Sequence, residues 1–436
     1  MKRWADLFVR WMPDAFSVAL ILTLIAALSA MTFADFPVSS TVEAWGDGFW
    51  NLLKFTNQIT LTLLLGYALA ETPPVQRLLR RTASRVRSAR AAYITACTVT
   101  GILALLSWGL SLVASGIIAR TIAAACRERG IHVHYPLLVA SSFSGFVIWH
   151  QGLTSSVGLI LATPGHFLEP QVGLIPTNET IFTLWNGGLA LFILILLPQL
   201  MARLHPVRPE LIQEFSAPAE GEEPKEETAS KTPAERIDFS PWLILPLLAM
   251  ALFYVLWHFF QRERGLELNI LNYTFLFLGV ALAGSAAGYA QIIVRGGRVA
   301  VPFLLQYPFY AGIAGIIADS GLAAIIVDFF ASISTPATLP FFAFLSAGFL
   351  NIFIPSGGGQ WAVQGPLMMS VAQQAGADLP RVAMAVALGD QWTNLIQPLT
   401  LIPAMTIAGV AVRDVMPYTF VALVFTGCVF ALALFL

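Results

Sequence analysis

The chain has 436 residues, 57% of them hydrophobic and 11% charged, and a formal net charge of -1 at pH 7. Soluble globular proteins carry about 25% charged residues, so this composition excludes an ordinary soluble domain and predicts a membrane protein. No basic, aromatic-interleaved stretch indicates a nucleic-acid partner. The three cysteines, Cys97, Cys126 and Cys428, have neither a disulfide-framework nor a metal-ligand spacing.

Nine apolar stretches are long enough to cross a hydrocarbon core of about 30 Å as helices. They lie at about 15–34, 55–71, 135–163, 179–203, 241–260, 268–294, 301–318, 381–410 and 415–436. We therefore predict an all-α integral membrane protein. The first stretch follows Lys2, Arg3 and Arg10 and resembles a signal peptide, but we interpret it as an uncleaved span because the topology then closes.

Two further apolar segments, 93–126 and 338–374, are interrupted midway by "SWGLS" (107–111) and "PSGGGQ" (355–360). Each arm is only ~21–25 Å of helix, so we predict two re-entrant hairpins. With a cytoplasmic N-terminus, all but four of the 24 basic residues lie on the cytoplasmic side, as the positive-inside rule requires. The four exceptions are Lys54, Arg262, Arg264 and Arg381.

The charged stretch 205–240, rich in Glu, Pro and Lys, predicts a flexible cytoplasmic linker between two halves, 1–204 and 261–436. Each half holds two spans, a hairpin, a long broken span and a final span. Four crossings return the chain to its starting side, so the halves are inverted only if one more crossing separates them. The stretch 241–260 supplies it. Such inverted-topology repeats are typical of secondary transporters with substrate sites near the midplane.

The long span of the second half contains "ALGDQWTNLIQPLTLIP" (387–403). Pro398 cannot donate a backbone hydrogen bond, which predicts a break near Asn394. Freed carbonyls and the side chains of Thr393, Asn394 and Gln397 are oxygen ligands suited to a cation, so we expect any Na⁺ site near Asn394. The helix that restarts after the break directs its positive end to the same place, which suits a carboxylate.

Asp390 is the only acid in this span, and carboxylates inside a membrane are usually functional. We predict that it couples transport to Na⁺ or H⁺; the alternative is a structural hydrogen-bond anchor. In the first half, Ser144 is its approximate counterpart. His150 titrates near neutral pH, although a single histidine is more often a packed residue, and Gln151 begins "QGLT", which answers the later "QPLT". We predict no other cofactor.

Two features predict the substrate site. Glycine allows close backbone approach, so the second hairpin tip can bind a ligand, although a simple tight turn is the alternative. Four of the eleven tryptophans lie at the hairpins and breaks, either as pocket walls or as packing. No Lys or Arg lies in these stretches, which favours a monovalent anion. The predicted substrate-binding residues are Ser107, Trp108, Gly109, Trp149, Ser356, Gly357, Gly358, Gly359, Gln360, Trp361, Trp392, Thr393, Asn394 and Gln397.

With these motifs the sequence resembles the bacterial short-chain fatty acid transporters, a family of the ion-transporter superfamily, over nearly its whole length. The segments that carry the resemblance are "WMPDAFSVALILTL" (11–24), "WGDGFWNLL" (45–53), "ATPGH" (162–166), "LLQYPFYAGI" (304–313), "PSGGGQWAVQGP" (355–366) and "GDQWTNLIQP" (389–398).

The resemblance implies uptake of small monocarboxylates, such as butyrate or acetoacetate, across the bacterial inner membrane. It also implies a homodimer, elevator-like movement of the hairpin domain, and binding of substrate, and in some branches sodium, at the hairpins and broken spans. His150 departs from the small residue expected at its position, which bears on substrate size or coupling. The dicarboxylate branch's "SNT"-type sodium motif is absent.

Other function classes fit the sequence less well. An exchanger or uniporter of another small organic anion remains an alternative to ion-coupled symport. A membrane-embedded enzyme is disfavoured because the sequence has no HExxH motif, no Cys/His ligand set and no Ser–Lys pair placed to react. A channel is disfavoured by paired hairpins with unlike tips. We therefore predict a transporter rather than an enzyme.

Overall fold

The computed structural model describes residues 13–208, 210, 212–215, 232–354 and 356–435. Every regular element in this part of the chain is helical. The helices before the predicted linker are α1 Ala15–Phe33, α2 Val38–Gly48, α3 Leu53–Glu71, α4 Pro73–Ala83, α5 Ala89–Leu106, α6 Trp108–Glu128, α7 Tyr135–Ser144, α8 Gly158–Leu161, α9 Glu169–Val172 and α10 Leu184–Arg203. The helices after it are α11 Pro233–Asp238, α12 Pro241–Leu256, α13 Leu268–Ala283, α14 Ala286–Asp319, α15 Leu322–Ile333, α16 Leu339–Asn351, α17 Gly357–Ala375, α18 Leu379–Thr393, α19 Pro398–Ala408 and α20 Val412–Ala433.

Large apolar side chains cover the outside of the helices. On α12, Trp242 is 78% exposed and Phe253 is 63% exposed. Such a surface is stable only against lipid. Seven described helices are long and apolar enough to cross a membrane, or eight if one strongly bent pair forms a single span. The prediction of an all-α, multi-pass membrane protein is confirmed.

Two predicted segment lengths are wrong. The predicted span 268–294 is not one rod, because α13 ends at Ala283 and the chain bends by 119° into α14. Gly284 adopts a left-handed φ of 78°, and the Ser285 side chain then caps α14. The first hairpin also has longer arms than predicted, since α5 and α6 contain 18 and 21 residues.

Both predicted hairpins are present as helix–turn–helix pairs whose tips lie beside the middle of another helix. In the first pair, Ser111 Oγ donates a 2.9 Å hydrogen bond across to the Thr100 carbonyl. Its tip approaches α3 so closely that a Cβ atom on Gly66 would lie 2.4 Å from Ser107 Oγ. The tip of the second pair meets α14, where Tyr307 Oη lies 2.7 Å from Ser356 Oγ.

Both predicted broken spans lose α-helical geometry. After α7 the chain forms a 3₁₀ segment, Gly145–Gln151, and then an irregular stretch in which Leu153 N donates to the Leu105 carbonyl at 2.8 Å. After α18 it forms a shorter 3₁₀ segment, Asn394–Ile396. Gln397 is extended, and α19 then restarts at Pro398. The break lies where Pro398 predicts it.

Part of the predicted linker packs against the helices. The Gln213 carbonyl accepts a 2.7 Å hydrogen bond from Tyr135 N, and the ring of Phe215 lies 4.9 Å from that of Tyr135. Further along, α11 begins with a capping box formed by Thr232 and Glu235. These pieces lie outside the membrane-spanning helices.

Candidate substrate and ion site

A cavity of about 480 Å³ lies between the two hairpin tips and the two breaks. Its volume is that of a typical small-molecule site. The first tip contributes Trp108, the second tip Ser356, and the second break Asn394. Segments of α3 and α14 complete the wall with mostly apolar side chains. The fold therefore brings together four segments that the sequence marks as irregular.

A buried histidine–aspartate pair lies beside this cavity and links the first break to α18. His150 Nε2 lies 2.9 Å from Asp390 Oδ2, and the side chains are 0% and 2% exposed. Asp390 Oδ1 has no hydrogen-bond partner among the described residues. The His150 ring stacks on Trp149 with centroids 3.5 Å apart. A charge here is costly unless compensated, so each residue stabilises the other's charged form.

The second hairpin tip contacts this histidine–aspartate pair. A Cβ atom added to Gly357 would lie 2.7 Å from His150 Nε2, Ser156 Oγ and the Trp149 ring. A larger residue at this position would have to displace these side chains, so glycine allows the tip to pack directly against the pair.

Amide side chains hold the second hairpin and the second break together. Asn351, the last residue of α16, donates to the Asp390 carbonyl at 2.7 Å and to Thr393 Oγ1 at 2.9 Å. Its own carbonyl accepts from Gln397 Nε2. Across the two breaks, Gln391 Oε1 accepts from His150 N at 2.8 Å. Hairpin and breaks therefore form one hydrogen-bonded unit.

The predicted substrate residues divide into two groups. Those that line the cavity are Trp108, Trp149, Ser356, Gly357, Gly358 and Asn394. Those that do not are Ser107, Gly109, Gly359, Gln360, Trp361, Trp392, Thr393 and Gln397, which pack or form hydrogen bonds in the surrounding structure. Asn394 Oδ1 accepts from Trp149 Nε1 at 3.0 Å, so this oxygen is already engaged at the predicted Na⁺ position.

The expectation that four tryptophans form pocket walls is only half fulfilled. Trp108 and Trp149 face the cavity with ring centroids 5.8 Å apart. Trp392 instead donates to the Leu423 carbonyl at 2.7 Å and packs against Phe344, while Trp361 is fully buried within its own hairpin. A tryptophan at a break can face either the cavity or the core, and spacing alone does not distinguish them.

Two of the predicted coupling residues lie apart from the His150–Asp390 pair. Ser144 is fully buried, and its Oγ has no hydrogen-bond partner in the described structure. The residue facing Asp390 is therefore His150, not the positional counterpart Ser144. Gln151 Nε2 donates to the Asn186 carbonyl at 3.1 Å, and Gln151 Oε1 accepts from Gln391 at 3.3 Å. It supports the contact between the breaks.

Sequence reasoning missed several residues of the site. Ser156 lines the cavity, is 3% exposed, and has no hydrogen-bond partner for Oγ among the described residues. Arg298, which lies on α14, also lines the cavity. Tyr307 positions Ser356. Ser156 lies in the irregular stretch of the first broken span, where the serine run "TSS" (154–156) could have indicated it. Arg298 and Tyr307 lie outside the tips and breaks, so only helical spacing along α14 could have indicated them.

The arrangement suits transport better than bond chemistry. Apolar walls can hold an alkyl chain, hydroxyl and amide groups can bind a carboxylate, and a buried carboxylate–imidazole pair can bind or release a cation. Among the described residues, no three His, Cys, Asp or Glu side chains are grouped closely enough to hold a metal ion.

Comparison with known proteins identifies the family. The model of the family described as "Short chain fatty acid transporter" matches residues 2–436. A relative from Escherichia coli (strain K12), named as a candidate short-chain fatty acid transporter, is 34% identical over 442 residues and aligns with 100% of this chain and 98% of its own. A relative of the same name from Haemophilus influenzae is 33% identical, with 100% and 99% covered.

A solved structure shares the fold. The YdaH transporter of Alcanivorax borkumensis superimposes with a TM-score of 0.57 at 12% identity, covering 96% of this chain and 98% of that one. At this identity the likeness concerns the fold alone. The matched family and both curated relatives are named as transporters and not as enzymes. The chain therefore belongs to the short-chain fatty acid transporter family.

Proposed function

We propose that this protein imports small monocarboxylates, such as butyrate or acetoacetate, across the bacterial inner membrane by ion-coupled alternating access. The observation that carries the proposal is the cavity enclosed by both hairpin tips and both breaks, with the His150–Asp390 pair beside it. A substrate site and a buried ionisable pair that share the contact at Gly357 have the geometry that coupling requires.

The inner end of the cavity suits one carboxylate. Ser156, Ser356 and Asn394 come from three different segments and converge there. The unpartnered hydroxyl of Ser156 can donate to a carboxylate oxygen, which removes the cost of a buried, unsatisfied polar group. The alkyl chain then lies against Trp108 and Phe303. This inner end offers polar groups for one carboxylate, which favours a monocarboxylate.

The coupling cation binds at the His150–Asp390 pair. Asp390 Oδ1 is a buried oxygen with no hydrogen-bond partner among the described residues, and it can accept a proton or contribute to binding Na⁺. Either cation changes the charge of the pair, and with it the electrostatic environment that Gly357 of the second tip meets. We infer that substrate and cation together allow the tip to close.

The architecture follows from the same proposal. We infer that both hairpins are re-entrant, and the contacts of their tips with α3 and α14 support this. The order of span, amphipathic helix, hairpin, broken span and final span occurs once before the linker and once after it, which supports inverted repeats joined by α12. The N-terminus is cytoplasmic, the chain forms a homodimer, and the hydrogen-bonded unit of hairpins and breaks moves as an elevator past α3 and α14.

Uptake by reconstituted vesicles tests the proposal. Radiolabelled butyrate is offered while sodium and pH gradients are imposed independently. We expect accumulation above equilibrium with one inward cation gradient and none without it. Uptake that only equilibrates in every gradient would favour a uniporter, and uptake that requires an internal organic anion would favour an exchanger. Vesicles that transport no monocarboxylate in any condition would refute the proposal.

A further inference from the structure

We propose that Arg298 is a substrate-binding residue. Its guanidinium group at the open end of the cavity forms a first binding station for the carboxylate, before the substrate reaches Ser156 and Asn394. This inference rests on the proposed function and adds a second position along the same path.

Charge is distributed unevenly in the cavity. Among the described lining residues, Arg298 is the one with a charged side chain. It is exposed, as is Thr406 on the opposite wall, whereas Ser156, Ser356 and Asn394 are buried. The exposed residues mark the open end, and the buried ones mark the closed inner end. A carboxylate entering from water therefore meets the cation first.

The helical spacing of α14 connects the two ends. Arg298, Pro302 and Gln306 follow one another at intervals of four residues, and all three line the cavity. They share one face of the helix and extend over ~12 Å at 1.5 Å per residue. Phe303 lies between them on the same wall. The path from Arg298 to the inner end is thus bordered by an aromatic surface.

Arg298 is available to bind an anion. In the described part of the chain, it forms neither an ion pair nor a hydrogen bond with another side chain. A guanidinium group binds a carboxylate through two parallel hydrogen bonds. Because the site is exposed, the attraction is modest and is screened by salt. Weak binding suits a station that must release its ligand in either direction.

Transport by Arg298→Gln, measured in whole cells and in inverted membrane vesicles, tests the inference. We expect KM for butyrate to rise about fivefold at the membrane face where the cavity opens, with kcat little changed, because an electrostatic capture step is lost. Arg298→Lys should restore most of the affinity. In the wild type, KM at this face should rise with ionic strength, and in Arg298→Gln this dependence should be weaker.

Arg87→Gln is the matched control. Arg87 is exposed between α4 and α5 and does not line the cavity, so its removal changes net charge equally without altering the site. An unchanged KM in Arg298→Gln, or an equal rise in Arg87→Gln, would overturn the inference. Failure of the proposed function can be distinguished from failure of the Arg298 inference, because the wild-type protein itself would then transport no monocarboxylate.

Discussion

The first and second hairpin tips begin with the same backbone arrangement. Ser107 has φ -159° and ψ 125°, and Ser356 has φ -156° and ψ 113°. Each serine caps the second arm of its hairpin: Ser107 Oγ accepts from Leu110 N at 3.4 Å and Ser356 Oγ from Gly359 N at 3.3 Å. The two halves of the chain therefore have the same serine N-cap at their hairpin tips.

The surroundings of the two tips differ. Gly109 of the first tip packs against the backbone of α3, where an added Cβ would lie 2.7 Å from the Leu63 carbonyl oxygen. Gly357 of the second tip meets the side chains of His150 and Ser156. The first tip is therefore packed against backbone, with Trp108 facing the cavity, whereas the second tip contacts side chains beside the proposed substrate and ion sites.

Alanine at the two glycines should give the largest effect and the sharpest contrast. Gly357→Ala should lower transport by at least about 100-fold, because the methyl group displaces His150 and Ser156 from the geometry that closure needs. Gly109→Ala should instead destabilise the fold by about 1–3 kcal/mol, because the methyl group meets a backbone carbonyl that cannot rotate away. Butyrate uptake and thermal unfolding in detergent measure the two effects.

Either of two results would contradict this contrast between Gly357 and Gly109. If Gly357→Ala unfolded as readily as Gly109→Ala, the second tip would be a packing element like the first. If Gly357→Ala kept normal uptake, the contact with His150 would have no role in transport. Gly297→Ala is a control within α14, because no atom lies within 4 Å of its added Cβ.

Loss of the Asp390 carboxylate should give the next largest effect on transport. Asp390→Asn retains a group that can bond to His150 but removes the charge that balances a coupling cation. We expect gradient-driven accumulation to fall to the equilibrium level, while exchange of labelled for unlabelled butyrate persists. Ser144→Ala is the control, since Ser144 is buried without a hydrogen bond to the pair. Full accumulation by Asp390→Asn would remove Asp390 from the coupling role.

Local chemistry explains what the sequence could predict. Pro398 breaks a helix wherever it lies, and a lone carboxylate in an apolar span indicates a functional site. Both hairpins, both breaks and Asp390 were therefore accessible from sequence patterns. The bend at Gly284 was not, because a single glycine inside an apolar run is also tolerated in a continuous helix.

Contacts between distant segments explain what the sequence could not predict. His150 and Asp390 are 240 residues apart, and the alignment of the two halves by position suggested Ser144 instead. Arg298 was not predicted as a site residue because it lies outside the tips and breaks, in a region interpreted as a loop between two spans. Its relation to the cavity depends on α14 continuing without interruption to Asp319, a property of the whole fold.

Removal of the capping hydroxyls should give the smallest and most specific effect. Ser107→Ala and Ser356→Ala should each cost about 1 kcal/mol of stability, because each loses the same helix cap. Only Ser356→Ala should also raise KM, by about three- to tenfold, because Ser356 alone lines the cavity and contacts Tyr307. Thermal unfolding measures the loss of stability, and butyrate uptake measures the rise in KM. Equal rises in KM would mean that both tips bind substrate, and the distinction between the two tips would have to be abandoned.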